Sequence, residues 1–99
     1  MATEMLIGVN VTDDEGYTAY RAAMTPILKT YGGGFSHDFR VSEVLQSQTE
    51  APINRVFTIF FRNDEAKDAF FADEEYVKVK RCYFEPSVSD TTIIATYQK

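Results

Sequence analysis

The sequence predicts an α+β domain of element order βαββαβ: a four-stranded antiparallel sheet with two helices on one of its faces. Three observations carry that prediction. Strand-like apolar runs stand at residues 5–11, 35–46, 55–62 and 88–97. Helix-like spacing fills two of the intervals between them, up to Tyr31 and over 64–84. The length, 99 residues, admits one domain with one small core.

In the first run, MLIGVNV, Met5, Ile7, Val9 and Val11 share one strand face while Leu6, Gly8 and Asn10 share the other. Thr12, Asp13 and Asp14 then offer N-cap oxygens and first-turn negative charge, which suit the unpaired amides and positive end of a helix. Tyr17, Tyr20, Met24, Ile27, Leu28 and Tyr31 form that helix's apolar stripe. Pro26 lacks an amide and crowds the carbonyl four residues earlier, so a kink or tightened turn is expected near Ala22. The glycines of YGGG follow. Gly32 or Gly33 suits the left-handed position that closes a helix. A phosphate cradle needs the start of a helix, whereas these glycines stand at its negative end, so the phosphate reading is rejected.

In the second strand Phe35, His37, Phe39, Val41 and Leu45 alternate with Ser36, Asp38, Arg40, Ser42 and Gln46, and only Glu43 and Val44 break the pattern. The polar stretch 47–53, which contains Pro52, reads as the loop of a long hairpin. RVFTIFFR is apolar on both faces, with Phe57, Ile59 and Phe61 on one and Val56, Thr58 and Phe60 on the other. It is therefore expected to be central and covered on both sides. Asn63 or Asp64 caps the second helix, which turns Ala66, Ala69, Phe70, Tyr76, Val79 and Tyr83 inward, with Asp73 as a break point. YVKVK also alternates at period two, but its charged flanks and the surrounding helical spacing favour helix. Pro86 ends it, and the β-branched run 88–97 forms the last strand.

Right-handed connections fold this order most simply as the ferredoxin-like arrangement, with the first and third strands central. Both helices then cover the same face. The third strand is apolar on its other face too, and about 25 cal/mol per Å² opposes leaving that surface in water. A second copy of the chain is the expected cover, which makes the expected partner the protein itself in a symmetric homodimer.

The composition narrows the function classes. A formal charge of -5 repels phosphate backbones and anionic lipid, so neither nucleic acid nor membrane is expected as a partner. Cys82 stands alone, which excludes an internal disulfide and a thiol-based zinc site. The apolar runs are too short to cross a bilayer, and the N-terminal residues lack the pattern of a signal peptide, so a cytoplasmic location is expected.

The pattern Tyr17, Tyr20, Pro26, Tyr31-Gly32-Gly33, Phe35, Arg55-Val56, Phe60-Phe61, Glu65-Ala66, Ala69-Phe70, Glu75-Tyr76 and Arg81 resembles the domain-of-unknown-function family numbered thirteen-thirty. That family belongs to the dimeric α/β-barrel superfamily. The resemblance implies two ferredoxin-like sheets packed face to face into a barrel, with a cavity in each subunit. It carries no catalytic set with it.

His37 is the one imidazole, a group suited to proton transfer near neutral pH, and a general acid or base is expected there at a cavity wall. Its strand turns it either toward the helices or into the barrel. With no second histidine at ligand spacing, neither a metal nor any other cofactor is expected. Ligand contacts are expected from Gly8, Asn10, Tyr20, Phe39 and Arg55. Gly8 and Asn10 together leave room and a hydrogen-bonding amide on a central strand, and Arg55, with Arg62 and Arg81, offers charge to an anion. The function expected is binding of a small apolar or weakly anionic metabolite in a barrel cavity. The alternative is a cofactor-independent monooxygenase, isomerase or cyclase acting on a small aromatic or polyketide-like compound.

Overall fold

The computed structural model describes residues 1–99 and contains four strands, β1 (Thr3–Val11), β2 (Gly34–Arg40), β3 (Arg55–Phe61) and β4 (Val88–Gln98). They pair antiparallel in the order β2-β3-β1-β4, so β1 and β3 are central as their apolar content predicts. The long helix α1 (Asp14–Thr30) is followed after β3 by α2 (Asp64–Ala72) and α3 (Glu74–Val79). A wide turn over Lys80–Phe84 then leads into the single turn α4 (Glu85–Ser87). The chain is a ferredoxin-like α+β domain. No helix is long and apolar enough to cross a membrane.

Met5, Ile7 and Val9 of β1 and Phe57, Ile59 and Phe61 of β3 meet Tyr17, Tyr20, Met24 and Leu28 of α1 and Phe70 and Tyr76 of the second helical segment in one core. The capping oxygens fall where the sequence places them. Asp13 accepts from the Gly16 amide, Asn63 from Ala66, and Asp73 from Glu75 and Tyr76, so Asp73 both ends α2 and starts α3. The wide turn changes the phase of the inward stripe. After Tyr76 and Val79 the next inward residue is Phe84, and Tyr83, expected inside, is exposed. Ala69 is exposed as well.

Helix α1 runs unbroken through Pro26 and closes on glycine. The Gly32 amide bonds Lys29 O and the Gly33 amide bonds Leu28 O, with Gly32 at φ 69°. Gly33 has a different reason to be glycine. A Cβ there would stand 2.5 Å from Leu28 Cδ1 and 2.6 Å from the backbone oxygen of Phe60, where nothing can yield cheaply. Gly33→Ala is therefore expected to cost about 1–3 kcal/mol in urea denaturation, through overpacking.

The second strand departs from expectation in two ways. It ends at Arg40, not at Gln46, and residues 41–54 form a long loop. Val41 N still bonds Asn54 O, but the Asn54 amide bonds Val9 O and its side chain bonds both backbone groups of Val11, anchoring the loop's end to β1. Ile53 then packs over Gly8, filling the place of a side chain and directing the loop across the face that the helices leave open. Inside β2, a bulge between Phe35 and His37 breaks the alternation. Phe35 packs against the core, whereas Ser36, His37 and Phe39 lie on the open face.

Glu4 is buried on that open face at the far end of β1, where its carboxylate accepts from Tyr97, from Ser36 at 2.7 Å and from Lys99 at 3.1 Å. These hydrogen bonds, the one from Tyr97 foremost, hold its pKa at about 2 against an ordinary 4.5. A carboxyl depressed in the folded state contributes stability above its unfolded pKa and loses it as the proton is taken up. The melting temperature should therefore drop between pH 4.5 and 2. In Glu4→Gln that part of the drop should be missing.

Candidate functional site

Between the sheet and the helices lies a cavity of about 390 Å³. Its floor is the helix-facing side of β1 and β3, with Met5, Ile7, Phe57 and Ile59; Tyr20, Met24, Phe70 and Tyr76 line it from the helices. Of 18 lining residues, 13 are hydrophobic, which makes it a pocket for a mainly apolar molecule.

Two polar features stand in this apolar setting. The phenol oxygens of Tyr20 and Tyr76 share a hydrogen bond of 2.8 Å, and burial pushes both phenols above their ordinary pKa. Both stay protonated, so the pair has one hydroxyl hydrogen in use between the rings and one left to donate. The second feature is Arg21, one residue beyond Tyr20 on α1. Its Nε donates to Tyr17 Oη at 3.0 Å and its Nη1 to Asp38 at 3.2 Å. Its guanidinium lies 3.9 Å from the ring centroid of Phe35 and 4.6 Å from that of Phe57. Arg55 grips the same Asp38 with two hydrogen bonds, at 2.9 and 2.7 Å. Arg55, with help from Arg21, holds the Asp38 carboxyl below its usual range.

The structure divides the residues singled out from sequence between two faces. Tyr20 lines the cavity, and Arg55 stands on the same side of the sheet, occupied by Asp38. Gly8, Asn10, His37 and Phe39 lie on the open face. The space at Gly8 is filled by Ile53, and the Asn10 amide donates to Ser89 Oγ at 2.9 Å. His37 is exposed, its ring stacked on Phe39 with centroids 5.8 Å apart. The bulge in β2 is the physical reason: one extra residue sends Phe35 to the helices and His37 away from them. Sequence reasoning passed over Arg21, although its place four residues after Tyr17, at the edge of the inward stripe, was the available signal.

The fold and the pocket define a ferredoxin-like domain with an apolar cavity between its layers. Residues 5–97 match the family described as "Domain of unknown function (DUF1330)", and the chain belongs to that family. No curated protein matches it. Among solved structures it is similar to a protein of unknown function from Rhodopseudomonas palustris, with TM-score 0.83 and 18% identity over 99% of this chain and 82% of that one. It is also similar to a dabb family protein with a ferredoxin-like fold from Mesorhizobium loti, with TM-score 0.65 and 14% identity over 99% and 96% of the two chains. A third likeness is an uncharacterized NIPSNAP domain protein from Burkholderia xenovorans, at TM-score 0.64 and 13% identity over 100% and 94%. At these identities the likenesses establish the fold alone.

Proposed function

We propose that the chain binds a small apolar or weakly anionic molecule in the cavity between sheet and helices, and that it does so as a homodimer. The cavity carries the first half of the reading: about 390 Å³ lies in the range of small-molecule pockets, about 300–1,000 Å³, and its wall is mainly apolar. The second half rests on the open face of the sheet. Phe39 is 58% exposed and Ile94 49% there, and Leu6, Val56 and Phe60 are only partly covered. A second copy set against this face would remove that surface from water.

Calorimetric titration with a panel of one- and two-ring aromatic compounds tests the ligand half. Met24, 1% exposed and part of the cavity wall, is replaced by tryptophan to occupy the space. Binding to the unaltered protein, weakened about tenfold or more in Met24→Trp, is expected. Equal binding by both would place the ligand elsewhere.

The Tyr20–Tyr76 pair favours a second reading, a cofactor-independent monooxygenase, isomerase or cyclase acting on a small aromatic or polyketide-like compound. Two neutral phenols bonded to each other at 2.8 Å leave one hydroxyl hydrogen, which can be donated to a substrate carbonyl to stabilise the oxygen as charge develops on it. On this reading Tyr76→Phe keeps ligand affinity and loses turnover, whereas His37→Ala on the open face leaves the cavity chemistry unchanged. Turnover lost equally in both would remove the tyrosine pair from its assigned role.

A further inference from the structure

Arg21 Nη2 is buried and has no hydrogen-bond partner. Arg21 belongs to the cavity wall, as do Phe35 and Phe57, whose rings lie against its guanidinium. Its Nε–H and one N–H of Nη1 are engaged by Tyr17 and Asp38, whereas neither N–H of Nη2 has an acceptor. A buried donor without an acceptor is costly, and a charged one more so, which makes the position an anchor for an oxygen that arrives with a ligand.

Charge points the same way. Asp38 is shared between two guanidinium groups and already takes both hydrogen bonds from Arg55, so the cluster Arg21–Asp38–Arg55 keeps an excess positive charge. Around the cavity itself the cations Arg21, Lys67 and Lys80 stand against one carboxylate, Asp68, in a chain whose net charge is -5. The wall thus reverses the sign of the whole protein. Apart from Thr91, the rest of the lining is aromatic and aliphatic.

We infer that the ligand of this cavity is an aromatic monocarboxylate whose ring system lies among Phe57, Phe70 and Tyr76 and whose carboxylate is bound by Arg21 through Nη2. This inference rests on the cavity being a ligand site. Nη2 is buried in this structure, so on this inference the carboxylate reaches it by displacing the ring of Phe35, which lies 3.9 Å from the guanidinium on a half-buried residue of the edge strand. The phenol pair at Tyr20 and Tyr76 stands across the ring system as a neutral donor for a second oxygen, such as a keto or hydroxyl group.

The test uses one- and two-ring aromatic carboxylates, each titrated beside its own primary amide, which has nearly the same shape and no charge. Each acid is expected to bind about tenfold or more tightly than its amide. Arg21→Met, which keeps an apolar stem and removes the fork, should erase that gap and leave amide binding as it was. Arg21→Lys should restore part of it, since it returns the charge without the planar fork. Thermal melts of both variants check that the domain is folded, and the comparison in the unaltered protein stands without them. Equal affinity for acid and amide would overturn the carboxylate assignment and leave the cavity reading intact. An acid preference that survives Arg21→Met would place the anion elsewhere and overturn the role of Arg21. Failure of the whole panel to bind would defeat the cavity reading and this inference together.

Discussion

Replacing Phe70 by alanine is expected to destabilise the domain by about 3–5 kcal/mol, a large part of the roughly 5–15 kcal/mol typical of a native domain. Phe70 is fully buried in the last turn of α2. Its ring centroid lies 4.2 Å from that of Tyr76, 5.1 Å from Phe71, 5.5 Å from Phe61 and 6.0 Å from Tyr31. It therefore ties α2 to α3, to Tyr31 just after α1, and to the sheet. Truncation removes the apolar area of the ring and joins its volume to a cavity that already exists, so the surroundings have little to collapse onto. In urea the midpoint should fall with the slope unchanged. A loss below about 1 kcal/mol would mean that the aromatic cluster does not organise this core as described.

The second large effect concerns the open face. Phe39 on β2 and Ile94 on β4 are both well exposed, so charging them costs the monomer little. In the proposed homodimer the same positions are buried and meet symmetry copies of themselves or their neighbours. Phe39→Glu combined with Ile94→Glu should raise the dimer dissociation constant about a hundredfold or more, read by light scattering over a dilution series. Circular dichroism should stay unchanged. A double variant with the mass of the unaltered dimer would exclude this face as the interface.

Much of the fold was legible because periodicity reports directly on which side of an element is covered. β1, β3 and α1 follow from the odd residues 5–9 and 57–61 and from the Tyr17, Tyr20, Met24, Leu28 stripe, all of which the structure buries. The caps at Asp13 and Asn63 and the break at Asp73 were legible for a local reason, since each side chain bonds amides within three residues of itself. What failed was non-local. The bulge at Ser36 and His37 inserts one residue without any change in composition, and it reverses the face of every later residue in β2. Val41 and Leu45 look like strand residues, yet the loop that carries them is set by Ile53 on Gly8 and by the Asn54 side chain on Val11. The wide turn at 80–84 exchanged Tyr83 for Phe84 in the same way.

The candidate site was legible in part. Tyr20 and Tyr76 belong to inward stripes, but a stripe does not say whether its side chains meet the sheet or leave room beneath them. Arg21 was hidden because a charged residue beside an apolar stripe usually reaches water; here Asp38 and the rings of Phe35 and Phe57 hold it inside.

Methyl-resolved NMR during titration with the aromatic panel tests the central claim most directly, because the two faces of the sheet carry different methyl groups. Binding in the cavity should shift Met5, Ile7, Met24 and Ile59 and leave Leu6, Val56 and Ile94 in place. Shifts confined to Leu6, Val56 and Ile94, or no shifts across the panel, would contradict a ligand site between the sheet and the helices.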